Sequence, residues 1–320
     1  MVLINILKTS IVYLLAFFLI IVLSYLALQA LPGDPIARLF ADYGISEQSM
    51  YYQRLQQMYE QHTGWQGFLF YCHNLLHGEF GFSISYSAPV SQVLADVMPW
   101  TWLLTLVTAP LALSLTYFIG IEAALHHGKL TDILILMTNN IVNALPSFVK
   151  AVILFFIFLQ FFPELPLQGA ETPMTDYSGL QRLGDIIRHL IAPVTVLLLL
   201  EAGKLLLPIR AAALSTSHKP YVSAAKLRGV SRWRLRHAYI GSNIRGILIV
   251  RGAMMLVSLL TGSVFVEIVF SYPGIGLALY QSIGYRDYAL IQAIIILLSL
   301  QILLIHCFVD IVLMMLNRRG

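Results

Sequence analysis

The chain alternates between long apolar stretches and shorter polar segments. A helix needs about 20 mostly apolar residues to cross a bilayer. Six stretches meet this requirement and predict transmembrane helices at roughly 9–30, 99–123, 132–161, 189–210, 247–270 and 289–315. The pattern therefore predicts an all-α integral membrane protein with six transmembrane helices, the last five of which form a transmembrane domain over residues 98–316.

The composition agrees with this prediction. The chain is 58% apolar and only 11% charged, with a mean hydropathy of +0.77. Soluble domains carry about 25% charged residues, so this chain has too few to cover a water-exposed surface. The two cysteines, Cys72 and Cys307, lie in a polar segment and in an apolar stretch respectively, so no disulfide framework is expected.

The first apolar stretch has two interpretations. Lys8 precedes it, as a basic residue precedes the apolar part of a cleaved signal peptide. The stretch is long for that role, however, and the triplet ending at Ala30 begins with Leu28 instead of a small residue. We expect residues 1–30 to be kept as the N-terminal transmembrane helix.

Positive charge is concentrated in one polar segment. Residues 210–245 hold eight of the twenty Lys and Arg residues. Cytoplasmic loops of membrane proteins carry an excess of Lys and Arg, which predicts that loop 211–246 is cytoplasmic. Arg318 and Arg319, one pair of spans later, agree with this orientation. The chain is therefore expected to be multi-pass with both termini in the cytoplasm.

The segments on the opposite side are poor in Lys and Arg. Residues 31–97 are the one long segment of this kind, and intervals 162–188 and 271–288 are expected to be outer loops. Ser46 is positioned to cap one helix, and a second amphipathic run covers 65–76. We expect a small helical segment on the membrane surface; contact with an incoming partner or substrate is the alternative.

His73 and His77 raise the possibility of a metal site. Two histidines four residues apart share a helix face, a spacing that can hold zinc. The zinc-protease pattern needs Glu directly after the first histidine, where this chain has Asn74, and a third ligand is missing. We therefore expect two surface histidines and no metal.

Five ionisable residues lie within or near the apolar stretches. They are Lys150, Glu201, Lys204, Glu267 and Asp310. Such groups usually face a bundle interior or a wet cavity, because each costs about 2.5–3.5 kcal/mol at a helix centre. Glu201 and Lys204 are three residues apart and either neutralise each other or line a translocation pathway. Glu267, near the outer end of the fifth span, is expected to reach water and is the third pathway candidate.

The basic loop contains a helix, a break and a second helix. Pro220 suits the first turn of a helix, Gly229 interrupts it, and Ser231 is positioned to cap the next one. The small residues in the first helix permit close approach by another surface, and its larger residues can anchor it. We call residues 218–231 the docking segment; its candidate contact residues are Tyr221, Val222, Ala224, Ala225, Leu227, Gly229 and Ser231.

Two other interpretations of this loop remain. Its arginines could bind anionic lipid headgroups at the membrane surface. It also superficially resembles a DNA-reading helix-turn-helix, but that motif needs a three-helix core, for which a loop between two spans has no room. No nucleic-acid partner is expected.

Four motifs occur in an order that resembles one protein family. They are Leu-Pro-Gly-Asp-Pro at 31–35, His-Gly-Glu-Phe-Gly-Phe-Ser at 77–83, Phe-Ser-Tyr-Pro-Gly-Ile-Gly at 270–276 and Arg-Asp-Tyr at 286–288. Over essentially its full length the chain resembles the inner-membrane permease subunits of bacterial dipeptide/oligopeptide ATP-binding-cassette (ABC) transporters. The motif residues that the resemblance marks as structural are Pro32, Gly33, Asp34, Pro35, Gly78, Gly81, Pro273, Gly274, Gly276 and Asp287.

The resemblance implies a function and a set of partners. It implies a type I ABC importer permease in the bacterial inner membrane, with peptide as substrate and the docking segment bound by an ATPase. The implied partners are a second homologous permease subunit, two ABC ATPase subunits, a periplasmic substrate-binding protein and membrane lipid. The chain has no phosphate-binding loop of its own, so ATP and Mg²⁺ would be used by the partner ATPases and no cofactor is bound here.

The docking segment departs from the family pattern at two positions. No Glu begins its motif, and Ile247 stands where Leu-Pro is usual. With the short outer loops, these departures resemble the Sap-type branch, which is linked to uptake of antimicrobial peptides. The alternatives from other classes are a proton-coupled secondary transporter and an intramembrane enzyme. The sequence shows neither a relay of carboxylates and histidines nor a catalytic set at matched depth.

Overall fold

The computed structural model describes residues 2–30 and 64–316. The motif at 31–35, the helix expected from Ser46, and Arg318 and Arg319 lie outside the described residues. The described helices are α1 Val2–Ala30, α2 Gly64–Leu76, α3 Val90–Leu125, α4 Leu130–Ala144, α5 Ser147–Phe161, α6 Leu180–Ser217, α7 Pro220–Leu227, α8 Arg232–Arg234, α9 Arg245–Val269, α10 Ile275–Tyr285 and α11 Tyr288–Leu316. A short π-helix covers Leu235–Gly241, and strands β1 Phe82–Ser83 and β2 Ala88–Pro89 form an antiparallel hairpin.

The predicted membrane architecture is confirmed, with one change. Helices α1, α3, α6, α9 and α11 are each long and apolar enough to cross a membrane, and α4 with α5 makes a sixth span if the bent pair counts as one. The predicted span at 132–161 is broken near its middle, where its two halves meet at an angle of 104°. Pro146 lacks an N–H and holds Leu145 in an extended conformation, which ends α4 and lets α5 begin at Ser147.

Helix α10 was not expected from the sequence. It occupies most of the interval 271–288, for which a loop was predicted. The predicted amphipathic run at 65–76 is confirmed as α2, and both cysteines are free. The described residues divide into two compact units, one made of 2–30, 64–98 and 278–304, the other of 99–277 and 305–316.

The second unit is built around α6. This helix packs against α9, α5 and α4, and its residues Leu197 and Ile209 are fully buried. Small residues let the helix backbones approach closely, as is usual in membrane bundles. A Cβ atom at Gly120 of α3 would lie 2.9 Å from Ile209 Cγ2, so only glycine fits there without displacing α6.

In the first unit, aromatic side chains join α1 and α2. The Tyr25 hydroxyl donates a hydrogen bond to the Gly64 carbonyl (3.0 Å), and the Tyr25 and Phe68 rings meet edge to face at 5.3 Å. The Phe18 ring also meets the Phe68 ring, with centroids 6.3 Å apart. Phe68 is buried, and most larger side chains of α1 are exposed, as expected for a helix facing lipid.

Asp287 of the Arg-Asp-Tyr motif joins two motifs that are far apart in sequence. Its Oδ2 accepts hydrogen bonds from Ser83 Oγ (2.6 Å), Ser85 Oγ (2.8 Å) and the Ser85 N–H (3.0 Å). Its Oδ1 accepts from the Leu290 N–H (3.2 Å), so the same carboxylate caps the N-terminus of α11. The side chain is fully buried, and four donors compensate for its loss of water. Burial, together with the Asp287 charge, raises the pKa of nearby Tyr86.

Replacing Asp287 with Asn should destabilise the first unit. The substitution keeps the shape but removes the charge and turns an acceptor into an NH₂ donor facing N–H and O–H groups. We expect a loss of about 2–3 kcal/mol, the usual effect of breaking charged hydrogen bonds in a buried site. Thermal unfolding in detergent measures it, with exposed Asp96→Asn as the control. An unchanged Tm for Asp287→Asn would contradict the capping role.

Candidate functional site

The docking segment folds as a helix with a sharp end. Pro220 occupies the first position of α7, where its missing N–H has no helical partner to lose. At the other end, Gly229 adopts a left-handed conformation with φ +74°. The Gly229 N–H donates to the Lys226 carbonyl (3.1 Å), and the Val230 N–H donates to the Ala225 carbonyl (3.2 Å). These two bonds form a Schellman cap, which confirms the expected break at Gly229.

Burial divides the seven candidate contact residues of the docking segment into two groups. Val222 and Ala225 are buried against Leu235, Val230 and Tyr239. The other five are exposed: Tyr221, Ala224, Leu227, Gly229 and Ser231. Leu227 is 90% exposed, an unusual position for a leucine on a small helix. One face of α7 is therefore anchored to the protein, and the opposite face is open for a partner.

The expected capping role of Ser231 is only half right. Ser231 stands directly before α8 and its carbonyl accepts from the Leu235 N–H (3.0 Å), but its side chain makes no capping hydrogen bond. The predicted second α-helix continues as a π-helix from Leu235 to Gly241. At Gly241 any Cβ would overlap the Tyr117 hydroxyl, so α3 passes too close for a side chain.

Two polar contacts tie the π-helix to α3. The Arg236 guanidinium forms an ion pair with Glu122. The Tyr117 hydroxyl and His237 Nδ1 are hydrogen-bonded at 2.8 Å, and their rings stack. Helix α7 is thus connected, through its packing on Leu235 and then through these contacts, to a long helix of the bundle.

A second ionic cluster joins α4 to α6 and was missed in the sequence. Arg210 donates from Nε to Asp132 Oδ1 (2.7 Å) and from an NH₂ group to Oδ2 (2.6 Å), a bidentate pair. His127 Nδ1 lies 3.3 Å from the same carboxylate, and the Gly128 N–H donates to it at 3.0 Å. Asp132, the third residue of α4, is visible in the sequence as a charged residue at the start of an apolar stretch. The sequence does not show its partner Arg210, which lies 78 positions away.

Glu201 and Lys204 are paired. Lys204 Nζ lies 2.6 Å from Glu201 Oε1, and the Ser258 hydroxyl of α9 bridges them with bonds of 2.9 Å to each. Lys150 of α5 is also buried. The side chain of Lys204 is nevertheless 47% exposed. That Lys204 lines a translocation pathway therefore stays a prediction.

The expectation that Glu267 reaches water is wrong. Its side chain is 0% exposed, and its carboxylate caps a helix instead. Oε2 accepts from the backbone N–H groups of Gly276 (2.6 Å) and Leu277 (3.3 Å) at the N-terminus of α10, and Oε1 accepts from Thr101 Oγ1 (2.9 Å). Thr101 Oγ1 also accepts from the Ile275 N–H (2.8 Å). Within the described part of the chain, the Glu267 carboxylate is therefore not accessible to a substrate.

The Pro-Gly-Ile-Gly motif has its two glycines where side chains do not fit. A Cβ at Gly274 would overlap the Glu267 carboxylate and lie 2.5 Å from Thr101 Oγ1. A Cβ at Gly276 would lie 2.5 Å from Val264 Cα, a backbone atom. The motif therefore brings a helix N-terminus onto Glu267. Burial, with the Glu267 charge adding to it, also raises the pKa of Tyr272 beside the motif.

The remaining motif glycines and the two histidines of α2 have local roles. Gly78 (φ +75°) and Gly81 (φ +88°) lie in the turn between α2 and β1, where a left-handed backbone favours glycine. The His73 and His77 rings stack at 4.3 Å, and His77 Nδ1 contacts the His73 carbonyl. Over the described ranges, 2–30 and 64–316, no group of three metal-ligating side chains comes together.

One polar feature of the spans was missed because it carries no charge. Thr138 and Asn139 lie midway along the apolar helix α4, and Asn143 lies near its C-terminus. Thr138 and Asn139 line a cavity between α3, α4 and α6. The signal in the sequence was a run of amide side chains within an apolar span.

The chain belongs to a transport family. The family model described as binding-protein-dependent transport system inner membrane component matches residues 116–319, more than half of the chain. The chain is 31% identical to the glutathione transport system permease protein GsiC of Escherichia coli K12 over 300 residues, covering 92% of this chain and 91% of that protein. It is 29% identical to the oligopeptide transport system permease protein AppB of Bacillus subtilis strain 168, covering 91% of each.

A third relative supports the same class. The chain is 26% identical to the di/tripeptide transport system permease protein DppB of Pseudomonas aeruginosa UCBPP-PA14, covering 95% of this chain and 94% of that protein. This chain is therefore a multi-pass inner-membrane permease component of an ABC transporter, with the type I permease fold, and not an enzyme. The resemblance inferred from the four motifs is confirmed at the level of the family.

The steric role of Gly276 can be tested against Gly284 in the same helix. Gly276→Ala should destabilise the protein by about 1–3 kcal/mol, because the methyl group forces α10 away from α9. At Gly284 a Cβ meets nothing within 4 Å, and alanine favours a helix, so Gly284→Ala should be neutral or stabilising by up to about 1 kcal/mol. Thermal unfolding in detergent compares them, and equal effects would refute the close-packing explanation.

Proposed function

We propose that this chain imports peptides across the bacterial inner membrane as one permease subunit of an ABC importer. Membership of the permease family and the peptide transport systems named for its relatives support the substrate class. The proposed assembly contains a second homologous permease subunit, two ATPase subunits and a periplasmic substrate-binding protein. The N- and C-termini and the docking segment face the cytoplasm, as the distribution of Lys and Arg indicates.

The open face of α7 is the observation that carries the coupling role. Tyr221, Ala224 and Leu227 are exposed, although Tyr and Leu are residues that usually anchor an interface. Basic residues flank this face at Lys226 and Arg228. We infer that an ATPase subunit binds here, with Leu227 entering an apolar pocket and Ala224 allowing close approach.

The contacts behind α7 give a route for movement. When the ATPases close on ATP, α7 moves, and its buried face moves the π-helix through the Val222–Leu235 contact. The Arg236–Glu122 and His237–Tyr117 contacts then move α3, which lines the cavity described above. ATP and Mg²⁺ are bound by the partner subunits, and this chain supplies the mechanical connection.

The two alternatives make different predictions about partners. A proton-coupled carrier would transport without an ATPase, and an intramembrane enzyme would need a catalytic set; the transport relatives favour neither.

The deciding experiment purifies the complex in mild detergent, identifies the ATPase and receptor that accompany it, and measures ATP-dependent uptake in vesicles. Comparing tripeptides with a cationic antimicrobial peptide also tests the resemblance to the Sap-type branch.

Changing Gly229 should uncouple ATP hydrolysis from transport. A branched side chain is strained at φ +74°, so Gly229→Val should distort the Schellman cap and move Leu227, whereas asparagine tolerates this conformation. We expect Gly229→Val to insert normally but to lose most ATP-dependent uptake, and Gly229→Asn to keep most of it. Because a Cβ at Gly229 meets nothing within 4 Å, crowding cannot explain a difference. Equal uptake by wild type and Gly229→Val would contradict the coupling role.

The orientation can be tested with single cysteines. In a Cys72→Ser, Cys307→Ser background, Lys226→Cys should react with a membrane-impermeant thiol reagent only in inside-out vesicles. Asp176→Cys, in the interval expected to be outside, should react only in right-side-out vesicles. Mass spectrometry of the labelled protein measures both, and labelling of Lys226→Cys from the outside would overturn the proposed topology.

A further inference from the structure

A basic cavity of about 290 Å³ lies between the end of α3 and the docking segment. Its positively charged lining consists of Lys129, Lys226, Arg232 and Arg236, with His126 beside them. None of the residues that line it is a carboxylate. A concave surface whose charges have one sign concentrates counter-ions, so this cavity has the electrostatics of an anion site.

Three of the four cations are free to meet a ligand. Lys129, Lys226 and Arg232 are exposed, and none of them forms an ion pair within residues 2–30 and 64–316. Arg236 differs, because Glu122 already compensates its charge. Like charges gathered in one cavity repel one another, and an anion between them removes this repulsion.

The free cations come from three different segments. Lys129 stands directly before α4, Lys226 lies in the last turn of α7, and Arg232 begins α8. A phosphate group suits this arrangement, because its oxygens accept two parallel bonds from an arginine and also attract the point charge of a lysine. The cavity therefore favours a ligand that carries phosphate.

An apolar cleft of about 300 Å³ adjoins the basic cavity. Arg236 lines both of them, so the positive surface continues into the apolar one. Two large rings in the cleft are open to the surroundings, since Phe118 is 54% and Trp233 is 66% exposed. Exposed apolar surface next to a cluster of cations is complementary to an amphipathic anion.

Both features lie where membrane-spanning helices end. Helix α3 ends at Leu125, which lines the basic cavity, and the π-helix that contributes Arg236 leads towards the spanning helix α9. Lipid headgroups occupy this depth, tryptophan is enriched there, and basic pockets between spans bind anionic headgroups. A soluble phosphate compound would fill the cavity but leave the cleft uncovered.

We propose that the cavity and the cleft together bind one anionic phospholipid. Its phosphate lies among Lys129, Lys226 and Arg232, and an acyl chain lies along Phe118 and Trp233. The bound phosphate joins the turn after α3 to the docking segment and to α8. This inference concerns lipid and does not depend on peptide import.

The lipid site is separate from the proposed ATPase surface. Lys226 lines the basic cavity, whereas Tyr221 and Leu227 of the open α7 face line neither the cavity nor the cleft. Val230 and Leu235, which pack on the buried face of α7, are also cavity residues. The lipid therefore lies behind α7, and an ATPase can bind in front of it.

Native mass spectrometry of the complete transporter, freed of lipid in detergent, tests the proposal. We expect phosphatidylglycerol to bind more tightly than the zwitterionic phosphatidylethanolamine. Lys129→Gln and Arg232→Gln should each raise the Kd for phosphatidylglycerol about fivefold, the effect of one basic residue at a lipid surface. Arg234→Gln is the matched control, because this exposed arginine of α8 lines neither cavity nor cleft, and its Kd should stay nearly unchanged.

Several results would overturn the lipid site. An unchanged Kd in both Lys129→Gln and Arg232→Gln would do so, provided that each variant keeps the wild-type Tm without lipid. Equal losses in Arg232→Gln and Arg234→Gln would show a general attraction to surface charge instead of a site. A complete transporter that binds no phosphatidylglycerol would show that another subunit covers the cavity.

A second measurement separates a phospholipid from a soluble phosphate compound. Trp233→Ala removes a wall of the cleft without changing any charge, and should raise the Kd for phosphatidylglycerol about tenfold. Leu227→Ala removes another exposed apolar side chain of the same loop and should have no effect on this Kd. If Trp233→Ala bound the lipid like wild type, or if glycerol 1-phosphate displaced it at equal concentration, the ligand would be a soluble phosphate and the proposal would be wrong.

Discussion

A carboxylate buried away from water has to be met by several N–H and O–H donors, and this constraint shapes both units of the chain. In one unit Asp287 caps α11 and binds Ser83 and Ser85; in the other, Glu267 caps α10 and binds Thr101. Each carboxylate replaces water with a helix N-terminus, where the partial positive charge favours it, and with hydroxyl groups from a distant segment. The family motifs around them supply the tight turns and the small residues that make this geometry possible.

Polar contacts also connect the helices around the segment that we propose binds the ATPase. There the polar contacts lie between helices: Arg210 holds Asp132, and Arg236 holds Glu122. Because α7 is fixed on one face only, the proposed mechanism passes a force on its open face to the π-helix and then, through the Arg236–Glu122 pair, to α3.

The sequence predicts the spans well because hydropathy is a local property. It predicts the break at Gly229 for the same reason, since the residue type alone favours a left-handed turn. It fails where the answer depends on a distant partner. Glu267 looks accessible near a span end, and only the approach of Thr101, 166 positions away, shows why it is buried. Helix α10 was missed because Pro273 and Gly274 indicate a turn, and the sequence does not show that Glu267 caps the helix that follows.

The charges within the spans are compensated inside the bundle. Glu201 is held by Lys204 and Ser258, and Glu267 by a helix N-terminus, so neither carboxylate is available to a passing peptide. An unpaired charge in the pathway would retain peptides of opposite charge and repel the others, which would slow a transporter of mixed peptides. A bundle whose charges are compensated internally passes peptides of either charge, which suits the proposed import of mixed peptides.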